Sequence, residues 1–176
     1  MKKYIYAFKE ARPVTKALCC MFFVLGWVFY FFVIFRLSAQ NADSSTDLSF
    51  GLAENIARFL YAFSSEHTVE DVISLANYFE HPLRKLAHFT EYGILGVLFS
   101  WTFLPVIKEV RRAAAGKSCG LYVKTTVLVF LLAALDEIHQ FFVPGRYSSV
   151  WDVLLDTVGC GVFLFFTYLI IDRKKT

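Results

Sequence analysis

The sequence predicts an all-α, polytopic membrane protein. Four transmembrane helices, with two short amphipathic helices on the outer side, form a single domain over residues 1–176. Three observations predict this fold. The first is composition: 57% of the 176 residues are hydrophobic and 19% are charged, against about 45–50% and about 25% in soluble domains. Phe alone contributes 20 residues, and the mean hydropathy is +0.51. The second is four apolar stretches, each long enough to cross a bilayer. The third is that the polar side chains a membrane should exclude cluster at one depth.

The same figures exclude several classes. A disordered chain would be poorer in apolar residues, and a nucleic-acid binder would carry a broad basic face. The formal charge is only +3. Cys19, Cys20, Cys119 and Cys160 match neither a zinc pattern nor a CxxC pair.

Residues 18–35 hold no charged group. As a helix they cover about 27 Å, close to the hydrocarbon thickness of a bilayer. Lys2, Lys3, Lys9, Arg12 and Lys16 precede them. A signal peptide has the same layout, but here the apolar run is too long and Arg36 stands where small cleavage-site residues belong. An uncleaved anchor is expected.

In the outer segment, Leu48, Leu52, Ile56, Phe59 and Phe63 recur at helical spacing. A second short helix over 68–80 opens on Thr68-x-x-Asp71, a capping-box variant, and carries Val72, Leu75 and Phe79 on one stripe. Both helices are expected to rest on the membrane surface or on the bundle. The remaining spans are 86–107, 125–143 and 151–171. Val143-Pro144-Gly145-Arg146 has the residues of a type II turn between the last two. Thirteen of the 18 Lys and Arg residues fall in the N-terminal tail, in 108–124 and in the C-terminal tail. The positive-inside rule therefore places both termini in the cytoplasm.

Ionisable groups within spans are costly and mark function by default. Lys85, His88, Glu91 and Tyr92 occupy one arc of about 120° on the second span. Asp136, Glu137, His139 and Gln140 share about 160° on the third. Asp152, Asp156 and Gly159 share a face of the fourth. Glu91, Glu137 and Asp156 each lie about 9 Å from the outer end of their span. One polar pocket between helices, open outward, accounts for that coincidence, and Arg146 would stand at its rim. Gly93, Gly96, Gly159 and Gly161 would allow close helix packing.

Several roles follow, each beside a structural alternative. His88 and Glu91 could form an acid–base pair, or simply hydrogen-bond one another. Asp136 and Glu137 could supply a general acid, because proximity and desolvation both raise carboxyl pKa values; they could equally form a structural network with Lys85 and Arg146. Asp152 could serve the pocket or complete a Ser149-x-x-Asp152 capping box. His88, Glu91, Asp136, Glu137 and His139 are types that could ligate a divalent metal, but their spacing matches no standard site, and no cofactor is assigned.

These motifs resemble the VanZ-like membrane proteins. The resemblance rests on Arg84-Lys85-x-x-His88-Phe89-x-Glu91-Tyr92, on Asp136-Glu137-x-x-Gln140-x-Phe142-x-Pro144-Gly145-Arg146, and on Asp152 followed by Gly159. Ser38 and Gln40 resemble the family's Ser-x-Gln element. Asp156 stands where the resemblance would place Asn, and His139 is a second departure. The resemblance implies a bacterial cytoplasmic membrane protein connected with resistance to the glycopeptide teicoplanin.

Three functions are in play. An envelope-modifying factor at the outer leaflet would hold an anionic lipid or lipid-linked precursor with Lys85 and Arg146. Tyr92, Gln140, Asp152, Asp156, Ser38 and Gln40 would line its site, and His88, Glu91, Asp136 and Glu137 would move protons. A binding protein would retain lipid or antibiotic without chemistry. A proton-coupled transporter fits four spans without an inverted repeat less well. No nucleic-acid partner is expected.

Overall fold

The computed structural model describes residues 7, 8, 10–63, 67–112 and 119–171. Lys2, Lys3, Lys9, Lys117, Arg173, Lys174 and Lys175, part of the charge argument, lie outside them. The described residues form five long helices and no strand: α1 Pro13–Ser38, α2 Ala42–Tyr61, α3 Val69–Arg112, α4 Cys119–Gln140 and α5 Val150–Ile171. Two of them, Pro13–Ser38 and Val150–Ile170, are apolar and long enough to cross a membrane.

Each terminus has a local cause. Pro13 opens α1 at its first turn, where a missing N–H costs nothing. The Thr68 hydroxyl accepts the Asp71 N–H at 3.2 Å, and an Asp71 carboxylate oxygen accepts the Thr68 N–H at 2.7 Å. The capping box expected at the head of α3 is therefore formed. The Thr68 donors hold Asp71 below the ordinary carboxylate range. After α4, Gly145 takes φ 76° and the Arg146 N–H reaches the Val143 carbonyl at 3.1 Å. This is the type II turn that Pro-Gly requires.

The largest difference from expectation is α3. Residues 68–80 and 86–107 are one continuous 44-residue helix, not a surface helix followed by a span. At 1.5 Å per residue it is about 66 Å long, roughly twice the thickness of a bilayer's hydrocarbon. Pro82 lies between the two expected pieces and forfeits the bond to the Tyr78 carbonyl. The apolar stripe nevertheless runs through it. Val72 and Ala76 form a core with Ala53 and Ala57 of α2, and Leu75, Phe79 and Leu83 pack against that core. With Ser49 bonded to Glu80 at 2.6 Å, α2 and the first half of α3 form an antiparallel hairpin.

The second core joins the other helices. Ile34 of α1, Tyr92 and Leu95 of α3, Val129 and Ala133 of α4, and Val153, Cys160 and Leu164 of α5 are buried together. α3 and α5 run parallel and approach most closely at glycines. A Cβ on Gly159 would lie 2.2 Å from the Phe89 carbonyl oxygen, and one on Gly96 would lie 2.5 Å from the Cys160 sulfur. Gly161 is different: nothing lies within 4 Å of a Cβ there, so it has no part in that packing.

Candidate functional site

Four helix segments meet in one polar layer: the end of α1, the middle of α3, the end of α4 and the start of α5. Sequence spacing explains their meeting. α1 and α4 run one way and α3 and α5 the other, so two C-terminal ends lie beside an α5 N-terminus.

Three sets of bonds hold the layer. The Ser38 hydroxyl donates to Asp136 Oδ2 at 2.8 Å, and the Gln140 amide donates to Ser38 Oγ at 2.7 Å and to Asp136 Oδ2 at 3.1 Å. All three residues are buried. This triangle ties α1 to α4. Glu137 Oε2 accepts the Ser149 backbone N–H at 2.7 Å, fastening the 141–149 loop to α4. The Lys85 ammonium pairs with the Asp152 carboxylate, linking α3 to α5. Of the two readings of Asp152, the Ser149-x-x-Asp152 capping box is absent among the described hydrogen bonds. The Asp152 carboxylate faces Lys85, and the donor at the helix start goes to Glu137.

Behind these bonds lie polar atoms without a partner among the described residues: Tyr92 Oη, Asp136 Oδ1 and Asp156 Oδ1. All three side chains are at least 98% buried. His139 Nε2 is also buried and unpartnered, with its ring 4.4 Å from that of Phe35.

Two clefts open on the other side of the layer. The first, about 150 Å³, lies between the end of α1, α2 and α3, and includes Ser38, Gln40, Arg84, His88, Glu91 and Arg146. The second, about 260 Å³, lies between α3 and the 141–149 loop, and includes Arg84, Lys85, His88, Gln140, Arg146 and Asp152. Arg84, His88 and Arg146 thus form the wall common to both. His88 Nδ1 stands 3.8 Å from Glu91 Oε2, one turn along the same helix. That is beyond a direct hydrogen bond but within reach of a shared proton carrier.

Arg146 is held by its Nε, which donates to the Gln40 backbone carbonyl at 3.1 Å. No carboxylate lies within ion-pair distance of it among the described residues. Burial, and then the neighbouring Arg84 guanidinium, lower its pKa from the ordinary value.

Ser38, Gln40, Lys85, His88, Glu91, Gln140, Arg146 and Asp152 therefore line one cleft or both. Tyr92, Asp136, Glu137 and Asp156 line neither of these two and stand behind them. Gln40 participates through its backbone carbonyl. Arg84 is the residue that sequence reasoning left out of the site. Its signal was present: Arg84, His88 and Glu91 follow i, i+4, i+7 and share one helical face. Among the described residues, no group of three or more His, Cys, Asp or Glu side chains is gathered to hold a metal.

The comparisons agree with the arrangement of motifs. No curated protein and no solved structure matches the chain. The model of one family, VanZ/LLP1, matches residues 6–171, nearly the whole length. The chain belongs to the VanZ/LLP1 family.

Proposed function

We propose that this protein acts on a component of the bacterial envelope at the outer leaflet, as a multi-pass protein of the cytoplasmic membrane with both termini inside. In this reading α1, the second half of α3, α4 and α5 are the four spans. The outward faces of α1, α4 and α5 support it: Phe22, Phe29, Phe130, Leu135, Phe165 and Phe166 are among many large apolar side chains left exposed. A soluble surface rarely carries so much contiguous apolar area. The family's link with glycopeptide resistance fits an envelope target.

The observation that carries the functional reading is the placement of His88 and Glu91, 3.8 Å apart, in a cleft whose wall also holds two guanidiniums. Arg146 and Arg84 would hold an anionic head group, with Lys85, paired to Asp152, beside them in the second cleft. His88 would take or give a proton to the bound group, and Glu91 would steady the resulting imidazolium. Asp136 and Glu137 would fix the cleft's walls, the one through Ser38 and Gln140, the other through Ser149. Glu91→Gln should abolish the envelope or teicoplanin phenotype while protein levels stay normal; full activity in that variant would count against proton transfer.

A second reading, a binding protein that holds lipid or antibiotic without chemistry, has its own support. Lys85, Asp136, Glu137 and Asp152 all engage partners within the protein. It predicts that purified protein mixed with envelope lipids yields no product, and that Arg146→Glu weakens retention.

A further inference from the structure

Arg84 and Arg146 both line the first cleft and both line the second, so the two side chains share one wall. Arg84 has a carboxylate at hand, Glu80 at 3.3 Å, which also accepts the Ser49 hydroxyl. Arg146 has none among the described residues. Two guanidiniums on one cleft wall repel one another unless an anion is bound there, and a phosphate can accept paired hydrogen bonds from each. Lys85 is the weaker candidate for that role, because Asp152 already occupies its ammonium. His81 and His88 add further donors around the second cleft.

The first cleft supplies the other half of a ligand. Its outer side is made of Leu37, Leu48 and Leu52, all exposed. Leu37 stands near the end of α1, a helix whose exposed side chains include Phe29 and Phe32. A hydrocarbon chain could therefore reach the cleft sideways from the bilayer, whereas a free anion would gain nothing from those leucines. Glu91 lies deeper, about 10 Å along the helix from Arg84, with His88 between them.

We propose that the two clefts together bind one lipid with a terminal phosphate monoester, its head between Arg84 and Arg146 and its chain along Leu37, Leu48 and Leu52. This rests on the outward-facing reading above and names the class of ligand that site takes. A phosphate monoester carries up to two negative charges and suits two cations better than a zwitterionic head does.

The test is native mass spectrometry of the full-length protein in detergent, with phosphatidic acid and phosphatidylcholine of identical chains as probes. Phosphatidic acid should be retained at least tenfold better. Arg84→Gln and Arg146→Gln should each reduce that preference about tenfold, and Arg146→Lys should keep part of it. Arg146 also holds the Gln40 carbonyl, so Arg84→Gln, on a continuous helix, carries the prediction if Arg146→Gln unfolds. Leu52→Ser should weaken the long-chain lipid and leave dihexanoyl phosphatidic acid unchanged. Equal retention of the two lipids, or a preference untouched in Arg84→Gln, overturns the proposal. So does full displacement by inorganic phosphate alone, which would mean a site for the head only. The two readings fail separately. A phenotype surviving Glu91→Gln counts against proton transfer and leaves lipid retention measurable; absence of phosphate preference in the unaltered protein counts against the lipid and leaves the phenotype test standing.

Discussion

Asp136 is a carboxylate at 1% exposure whose Oδ2 receives both of its hydrogen bonds. Leaving a buried polar group short of a donor costs about 1–3 kcal/mol, more for a charged one. Ser38→Ala removes the bond that ties α1 to α4. It should lower stability by about 2 kcal/mol, read as a lower midpoint in thermal unfolding; an unchanged midpoint would mean that the triangle is not holding α1. The glycines provide a second residue-scale contrast. Gly159→Ala places a methyl against the Phe89 backbone, where no side-chain rotation relieves it. It should cost about 1–3 kcal/mol by overpacking. Gly161→Ala meets nothing and should be neutral or slightly stabilising, since alanine favours helix. Sequence reasoning grouped these two glycines because it saw only small residues on a span. Their difference depends on which way each faces, and that is set by α3. Arg84 was missed for the same kind of reason. Adjacent basic residues 84 and 85 point about 100° apart, and only the neighbours reveal that Lys85 is taken up by Asp152 while Arg84 reaches the wall common to both clefts.

At the scale of the element, α3 organises the molecule. Its first half packs on α2 and its second half on α5, so the polar layer sits near its middle. The periodicity of each half was legible: Val72, Leu75 and Phe79 on one side of Pro82, and His88, Glu91 and Tyr92 on the other. Their continuity was not, because it depends on α2 covering the apolar stripe through the proline. The capping box was legible from four residues, since it needs only local chain geometry. Thr68→Ala should destabilise the hairpin by about 1 kcal/mol, seen as faster hydrogen exchange in the first turn of α3. The pH dependence has a definite sign. The Asp71 pKa is depressed in the folded chain, so its contribution is present above the unfolded value of about 3.9 and is lost as pH falls through the lower folded value. Carboxyl-carbon NMR should find the Asp71 midpoint below the ordinary range and find it raised in Thr68→Ala; an ordinary midpoint in the unaltered protein would contradict the cap.

For the whole molecule, many large apolar side chains are exposed while a polar layer is buried between the helices. Composition alone made the apolar character legible, and the alternating directions of the helices made the shared layer legible. The partition of that layer into a bonded interior and two clefts was not, because it depends on which carboxylate meets which donor. Glu137 and Asp152 show this: both are acidic and both are near the 141–149 turn, yet one receives a backbone N–H and the other an ammonium. The functional account stands on this layer facing outward. Tyr147, 91% exposed in the turn beside Arg146, is on the side proposed to be external, and Lys124, exposed near the start of α4, is on the side proposed to be cytoplasmic. The most direct measurement is labelling of single cysteines by a membrane-impermeant thiol reagent in intact cells, in a chain whose four native cysteines are replaced. Tyr147→Cys should react at once and Lys124→Cys only after the membrane is opened; the reverse pattern would put the clefts in the cytoplasm and contradict the account.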